Sequence, residues 1–448
     1  MSHRKQLWRC NLGKFAYLSS CHISGLNAAP LSSQDMIEPP MSFSERPTNL
    51  PEQQSKGHVL EVFLAFLKLG LTSFGGPIAH LGYFREEIVK RRKWLADDAY
   101  ADLVALCQFL PGPASSQVGF GLGLMRAGPM GALAAFVAFT APSALLLFAF
   151  AYWASALQGP VGMGLIHGLK LVAVAVVAQA VWGMARNFCV DQLRAGLAVL
   201  AVVLIVALGG AGGQIAAIVA GGLGGFLFCR SEPKAEVHDV SFAPRRRVGL
   251  VAIILFAGLL FGLPMVSDLT GNSLVYVFDS FYHSGSLVFG GGHVVLPLLE
   301  AKVVGTGLVS ENSFLAGYGA TQAVPGPLFT FAGYLGAEMQ TGYAAWLGAT
   351  IALVGIFLPG FLLLIAGLPY WAWLRQTPSA RGIMAGANAA VVGVLGAALY
   401  SPVWTSAVLD AKDFAAALCG FVLLVSFKAP PWVVVVLLAL TGVGFAFI

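Results

Sequence analysis

Two short stretches, "SFGGPIAHLG" at Ser73–Gly82 and "QFLPGPASSQ" at Gln108–Gln117, set glycine, proline, histidine and serine inside otherwise apolar runs. Gly75 and Gly76 relax φ, Pro77 lacks an N–H, and Pro111, Gly112 and Pro113 combine both effects, so a helix must stop and restart there. A restarted helix presents free N–H groups and the positive end of its dipole. With Ser115 and Ser116 in the first turn after Pro113, these donors could converge on an anion; the alternative is a plain kink whose serines bond back to carbonyls. The pattern returns as "VFGGGHVVLP" at Val288–Pro297 and "QAVPGP" at Gln322–Pro327. There Gly290, Gly291, Gly292, Pro325, Gly326 and Pro327 are the counterparts, and the polar run shrinks to Thr330.

Lys170 is the strongest single charge, roughly ten residues into a span and so near the bilayer centre, where a charge costs ~2.5–3.5 kcal/mol on insertion scales. An anion partner is one reason for it; a buried pair with Asp102 or Glu61 is the other. Its counterpart in the later copy is Asn388, polar but neutral. His80 and His293 each follow a double glycine, at different distances, and either could carry a coupled proton or simply pack in a polar cavity. Gln108 and Gln322 precede the two PGP turns and suit freed backbone groups or substrate, and Arg126 suits a cytoplasmic interfacial anchor.

The elements that must hold these residues are membrane helices. Only 10% of the 448 residues are charged, 57% are hydrophobic and the mean hydropathy is +0.78, whereas soluble domains carry roughly a quarter charged residues. The six cysteines form no CxxC pair and share no ligand spacing with histidine, so neither a metal site nor a redox motif is called for, and no cofactor is implied. Apolar segments run over 58–83, 99–125, 128–153, 161–184, 193–210 and 211–229, then 248–263, then 273–300, 313–340, 342–367, 382–403, 411–427 and 432–448. The two sets are copies: the double glycine precedes the PGP glutamine by 33 residues (75 to 108) in the first and by 32 (290 to 322) in the second. Pro142 matches Pro359, and "GLKLVAVAVV" from Gly168 matches "GANAAVVGVL" from Gly386.

Lysine and arginine set the orientation. The loop Arg85–Trp94, the turn Arg186–Arg194 and the linker Arg230–Arg247 belong in the cytoplasm, and the uncharged turn Gln158–Pro160 outside. A full crossing by 58–83 would strand Lys90–Lys93 outside, so a hairpin that enters and returns is the better reading. After the odd segment 248–263 the sign inverts. The expected fold is an all-α polytopic membrane protein of two homologous inverted-topology repeats with re-entrant or broken helices meeting near mid-membrane, which is how many secondary transporters build a substrate site. The expected domains are a disordered cytoplasmic tail over 1–57, a first repeat over 58–229, a basic linker with a connecting helix over 230–272, and a second repeat over 273–448. Met36 or Met41 could be the true start. The N-terminus is then cytoplasmic and the C-terminus periplasmic. An intramembrane enzyme acting on a lipid phosphate is disfavoured, because no paired carboxylates, HExxH or GxSxG occur in the membrane segments. A passive anion channel is the nearer rival.

"FGGPIAHLG", "QFLPGPASSQ", "GLKLVAVAVVAQAVWG", "FGGGHVVLPLLE" and "TQAVPGPLFTFAGYLG" resemble the paired motifs of the chromate ion transporter family in its long two-domain form, over about residues 60–440. The resemblance implies a bacterial inner-membrane exporter of chromate, driven by the proton gradient, with sulfate as a competing analogue. Its partners would be chromate or a sulfate-like oxyanion, protons and the lipid bilayer, with no nucleic acid and with a homodimer left open. Chromate is a dianion near neutral pH, so a site for it must replace a strong hydration shell with donors. Lys170, Asn388 and the four glycine–proline loops are the groups available for that.

Overall fold

The computed structural model describes residues 57–154, 159–229 and 244–447. The N-terminal tail, the alternative start positions and most of the basic linker lie outside the described residues. Among the described residues the regular structure is helical and contains no strand.

The first half runs α1 (Val59–Thr72), α2 (Gly76–Phe84), α3 (Asp97–Phe109), α4 (Ala114–Ala154), α5 (Pro160–Phe188), α6 (Gln192–Leu208) and α7 (Gly210–Phe228). After α8 (Arg246–Thr270) come α9 (Ser273–Ser286), α10 (Val295–Val303), α11 (Glu311–Thr321), α12 (Phe331–Glu338) and α13 (Ala345–Gly367). The chain ends with α14 (Trp371–Gln376), α15 (Pro378–Ala398), α16 (Thr405–Ala407), α17 (Ala411–Val425) and α18 (Pro431–Phe445). Among the described residues six helices are long and apolar enough to cross a membrane, counting α4 as one, and α6 and α18 are shorter apolar helices.

The four segments that carry the glycine–proline motifs are not continuous helices. Segment 58–83 breaks between α1 and α2, and 99–125 between α3 and α4. Segments 273–300 and 313–340 break in the same way, each restarting through a 3₁₀ turn. Helix α4 is itself interrupted where Ala127 and Gly128 leave helical geometry, with φ of −138° and +67°. Its part before the break matches α12, and its part after the break matches α13.

The halves interlock. Gly70 lays α1 on the backbone of α4, where an added Cβ would come 2.8 Å from the Phe139 carbonyl; its counterpart Gly285 lays α9 on α13, 2.3 Å from that of Ile356. Helices α5 and α15 are exchanged between halves. Helix α5 packs on α17 and α18, and α15 packs on α6 and α7. Gly168 sets α5 against the Leu438 backbone, and Gly386 sets α15 against that of Gly221, the close approach that small residues permit where no hydrophobic effect drives helix association. In consequence the matching runs 168–177 and 389–395 are buried throughout. Helix α8 is the peripheral one, with Ile254, Phe261 and Leu269 exposed on an apolar face fit for lipid.

Candidate functional site

The four helix breaks meet, and they meet crosswise. The Gly112 N–H donates to the Val288 carbonyl at 2.8 Å, and the Gly326 N–H donates to the Ser73 carbonyl at 2.9 Å. Gly112 and Gly326 are repeat mates, as are Val288 and Ser73, so each PGP turn is tied to the double-glycine turn of the other half. The double-glycine turns approach each other too: a Cβ on Gly292 would lie 3.4 Å from Pro77 and 3.2 Å from Leu328. Gly75 and Gly290 hold φ of +97° and +76°, a region that side chains with a Cβ enter only under strain.

Around this junction the first half supplies buried polar groups. His80 Nδ1 lies 3.4 Å from Ser115 Oγ, and its ring packs edge-on against Phe139. Ser73 Oγ, His80 Nε2, Ser116 Oγ and Thr140 Oγ1 are buried without a protein partner, while Ser143 Oγ bonds back to the Thr140 carbonyl and would stand 2.9 Å from a Cβ on Gly326. Gln117 Nε2 donates to the carbonyls of Pro111 and Gly360 at 3.0 and 2.8 Å, so it is the side chain that satisfies the broken backbone. The sequence pointed to Gln108 for that duty. In the second half Thr330 Oγ1 bonds back to the Pro327 carbonyl at 2.7 Å and His293 Nδ1 meets the Tyr318 hydroxyl at 2.6 Å. Pro325, Gly326 and Pro327 sit at the junction, but the second-half side chains are largely satisfied internally.

Lys170 does not join this junction. Its ammonium donates to Asn312 Oδ1 at 3.0 Å, at the opposite end of α11 from the PGP turn. At 1.5 Å per residue that is about 14 Å away from Thr321. The charges that act on Lys170 are those of Glu311 and Asp413, in place of the expected Glu61 or Asp102, and Glu61 accepts from Trp94 Nε1 at 2.9 Å and is bridged by Arg126 at 3.2 Å, with the guanidinium over the Trp94 ring.

Two cavities are built from equivalent elements, each walled by helices of both halves. The larger, ≈ 520 Å³, lies where α5 meets α11 and α17 and is lined by His167, Lys170, Asn312, Asp410, Lys412 and Asp413. The smaller, ≈ 370 Å³, lies where α15 meets α3 and α6; Gln108, Phe188, Arg194, Trp371, Arg381 and Asn388 line it, and the nearest carboxylate paired with its arginines is that of Asp191, half-exposed and 3.3 Å from Arg194 Nε. Asn388 lies beside the junction, its Oδ1 3.4 Å from a Cβ built on Gly290. The cavities differ in packing. Helix α11 closes on α5, Gly319 meeting the Leu169 backbone, whereas Ala105 and Gln108 of α3 face Ala385 and Asn388 of α15 across open space.

His167, Asn312, Asp413, Arg194 and Arg381 escape single-segment reading. A signal was present: Asp191 and Asp410 are equivalent caps that accept from the N–H three residues on, and those residues are Arg194 and Asp413. Aligning the two helix starts would have exposed this reversal of charge.

Broken helices crossing at a buried polar junction, in a chain of repeated apolar helices, are the architecture of a polytopic membrane protein, and the family match makes it a transporter. The Chromate transporter family model matches residues 60–226 and 275–443, and the chain belongs to that family. It is 27% identical over 371 residues to the chromate transport protein of Pseudomonas aeruginosa, covering 82% of each chain. It is 27% identical over 390 residues to the probable chromate transport protein of Synechococcus elongatus, covering 85% of this chain and 94% of that one. To the chromate transport protein of Cupriavidus metallidurans it is 25% identical over 370 residues, covering 82% and 88%. No solved structure matches the chain.

Proposed function

We propose that the chain is a secondary carrier that exports chromate, a tetrahedral dianion, across the bacterial inner membrane in exchange for protons and so confers chromate resistance. The observation that carries this reading is the crossed pair of loop hydrogen bonds, Gly112 to Val288 and Gly326 to Ser73. A structure in which each half holds the other's broken helix has two equivalent ways to rock, as alternating access requires. The cavity with Arg381 and Arg194, the latter bridged at 3.3 Å to the half-exposed Asp191 carboxylate at its edge, suits the dianion's approach, and Asn388 leads from it to the helix starts at Gly76, Ala114 and Gly292. Buried, unpartnered Ser73, Ser116 and Thr140 hydroxyls supply donors at the junction.

Inversion of the repeats follows from parity in this reading. After the break in α4 the chain makes four passes, α4 to α7, and α8 adds a fifth, so the second repeat starts from the other face. The N-terminus is then cytoplasmic and the C-terminus periplasmic, with Arg85–Arg92 and Arg194 inside.

Counterflow in proteoliposomes tests the proposal. Vesicles preloaded with chromate should take up external chromate faster than empty ones, and sulfate should compete. Flux indifferent to internal chromate would identify a channel instead.

A further inference from the structure

The two cavities occupy equivalent places and carry opposite chemistry. Where the α15 cavity has Arg194 the α5 cavity has Asp413, and where it has Ala385 and Asn388 the α5 cavity has His167 and Lys170. His167 Nε2 lies 2.6 Å from Asp413 Oδ1, and Asp413 Oδ2 accepts from the Leu409 N–H at 3.0 Å. The Asp413 side chain is 6% exposed and that of His167 23%, so the carboxylate is sealed and the imidazole reaches the cavity.

The helices packed against this part of α5 bring several charged groups to the pair. Helix α17 contributes Asp410, Lys412 and Asp413. Helix α11 contributes Asn312 and Glu311, whose carboxylate accepts from Ser406 of α16. Helix α5 itself adds Lys170, which feels the charges of Glu311 and Asp413. The segment 399–404 offers only Tyr400 and α18 no titratable group; Arg381 of α15 lines the other cavity. Three carboxylates against two ammonium groups repel a dianion. They suit a small cation, and a proton needs only a lone pair.

We propose that the α5 cavity is a proton-exchange site centred on the His167–Asp413 pair, so that the repeats divide the work: fixed positive charge for the oxyanion on one side, a titratable pair for the proton on the other. This rests on the carrier reading above. With Nε2–H donated to Asp413, an incoming proton bonds to the Nδ1 lone pair of His167 and leaves from Nδ1 to water. No other bond changes. The pair alternates between a net negative and a neutral state, and Lys170 beside it, held by Asn312, senses the difference.

The test uses full-length protein in proteoliposomes and two assays, chromate counterflow at equal pH and chromate uptake driven by an imposed pH gradient. Wild type should perform both. His167→Gln and Asp413→Asn should keep counterflow but lose gradient-driven uptake, falling to the level seen without a gradient. Retained gradient-driven uptake in both variants overturns the assignment, as does loss of counterflow in both, since the proton site is held to be separable from the oxyanion path. Wild-type uptake driven by a sodium gradient and not by a pH gradient would overturn it in favour of a metal cation. Absence of counterflow in wild type would instead remove the carrier reading itself.

Discussion

The Gly326 N–H and the Ser73 carbonyl meet at 2.9 Å, joining the second helix break of one half to the first helix break of the other. The equivalent bond between Gly112 and Val288 makes this a reciprocal clasp, and it has no room for side chains. At Gly112 φ is +124° and an added Cβ would sit 2.9 Å from Gly360 Cα. Gly112→Ala should therefore cut chromate uptake roughly tenfold or more, since left-handed strain alone costs ~1–3 kcal/mol. Gly183→Ala, at a position with nothing within 4 Å of its Cβ, should leave uptake unchanged. Vesicle uptake normalised to protein level is the measurement.

A second expectation concerns Gly290, whose Cβ would press on Met184, Phe188 and Asn388. Gly290→Leu should block transport and weaken substrate binding while the protein still inserts. Wild-type uptake by the variant would contradict a junction built on close backbone approach.

The arginine pair gives a third. A charge-assisted hydrogen bond contributes about 1.5–3 kcal/mol, so Arg194→Gln or Arg381→Gln should weaken chromate binding roughly 10- to 150-fold. The wild-type affinity should also fall with ionic strength, and more steeply than that of either variant. Equal affinity and equal salt dependence in titrations of purified protein would separate this cavity from the oxyanion path.

The helix breaks were legible because glycine and proline act on the backbone locally, at Gly75–Pro77 as at Pro325–Pro327, and the repeat was legible because both copies keep them in order. The exchange of α5 and α15 between halves was not. Depth along a span could be counted for Lys170, yet counting gives no direction around the helix, and its partner Asn312 comes from the other half. Gln117 stands within the PGP motif, yet nothing local reveals that Gly360 comes within reach of its amide. The cavities depend wholly on such crossings.

Lys170 and Arg126 should separate in their effects. Lys170→Ala removes the ammonium beside the His167–Asp413 pair and should abolish chromate resistance in cells at near-normal membrane levels. Arg126→Ala leaves Glu61 about one-third exposed and still bonded by Trp94, so hydration replaces much of the lost ion pair and resistance should fall only mildly. Resistance assays with immunoblots of membranes compare the two. Preserved resistance in Lys170→Ala would detach that residue from transport.

Outside the spans, Glu87 in the π-helical turn Arg85–Arg91 is a test of stability and not of transport. Burial works to raise its pKa, but hydrogen bonds from Lys68 and Arg92 and the charges of Lys68 and Arg91 outweigh it, holding the carboxyl below its ordinary 4.5. Lys68 and Arg91 are 47% and 62% exposed, so solvent screens their share. Glu87→Gln should then cost about 1–2 kcal/mol at neutral pH, less at high salt. Because the folded pKa is the depressed one, the stabilisation is complete above the unfolded value of about 4.5 and is lost as pH falls through the folded value. Apparent melting temperatures of wild type and variant should therefore differ at pH 7 and converge as the solution is acidified below pH 4.5. A gap that stayed constant down to low pH would mean that the carboxylate's charge contributes nothing there and that packing of the side chain accounts for the difference.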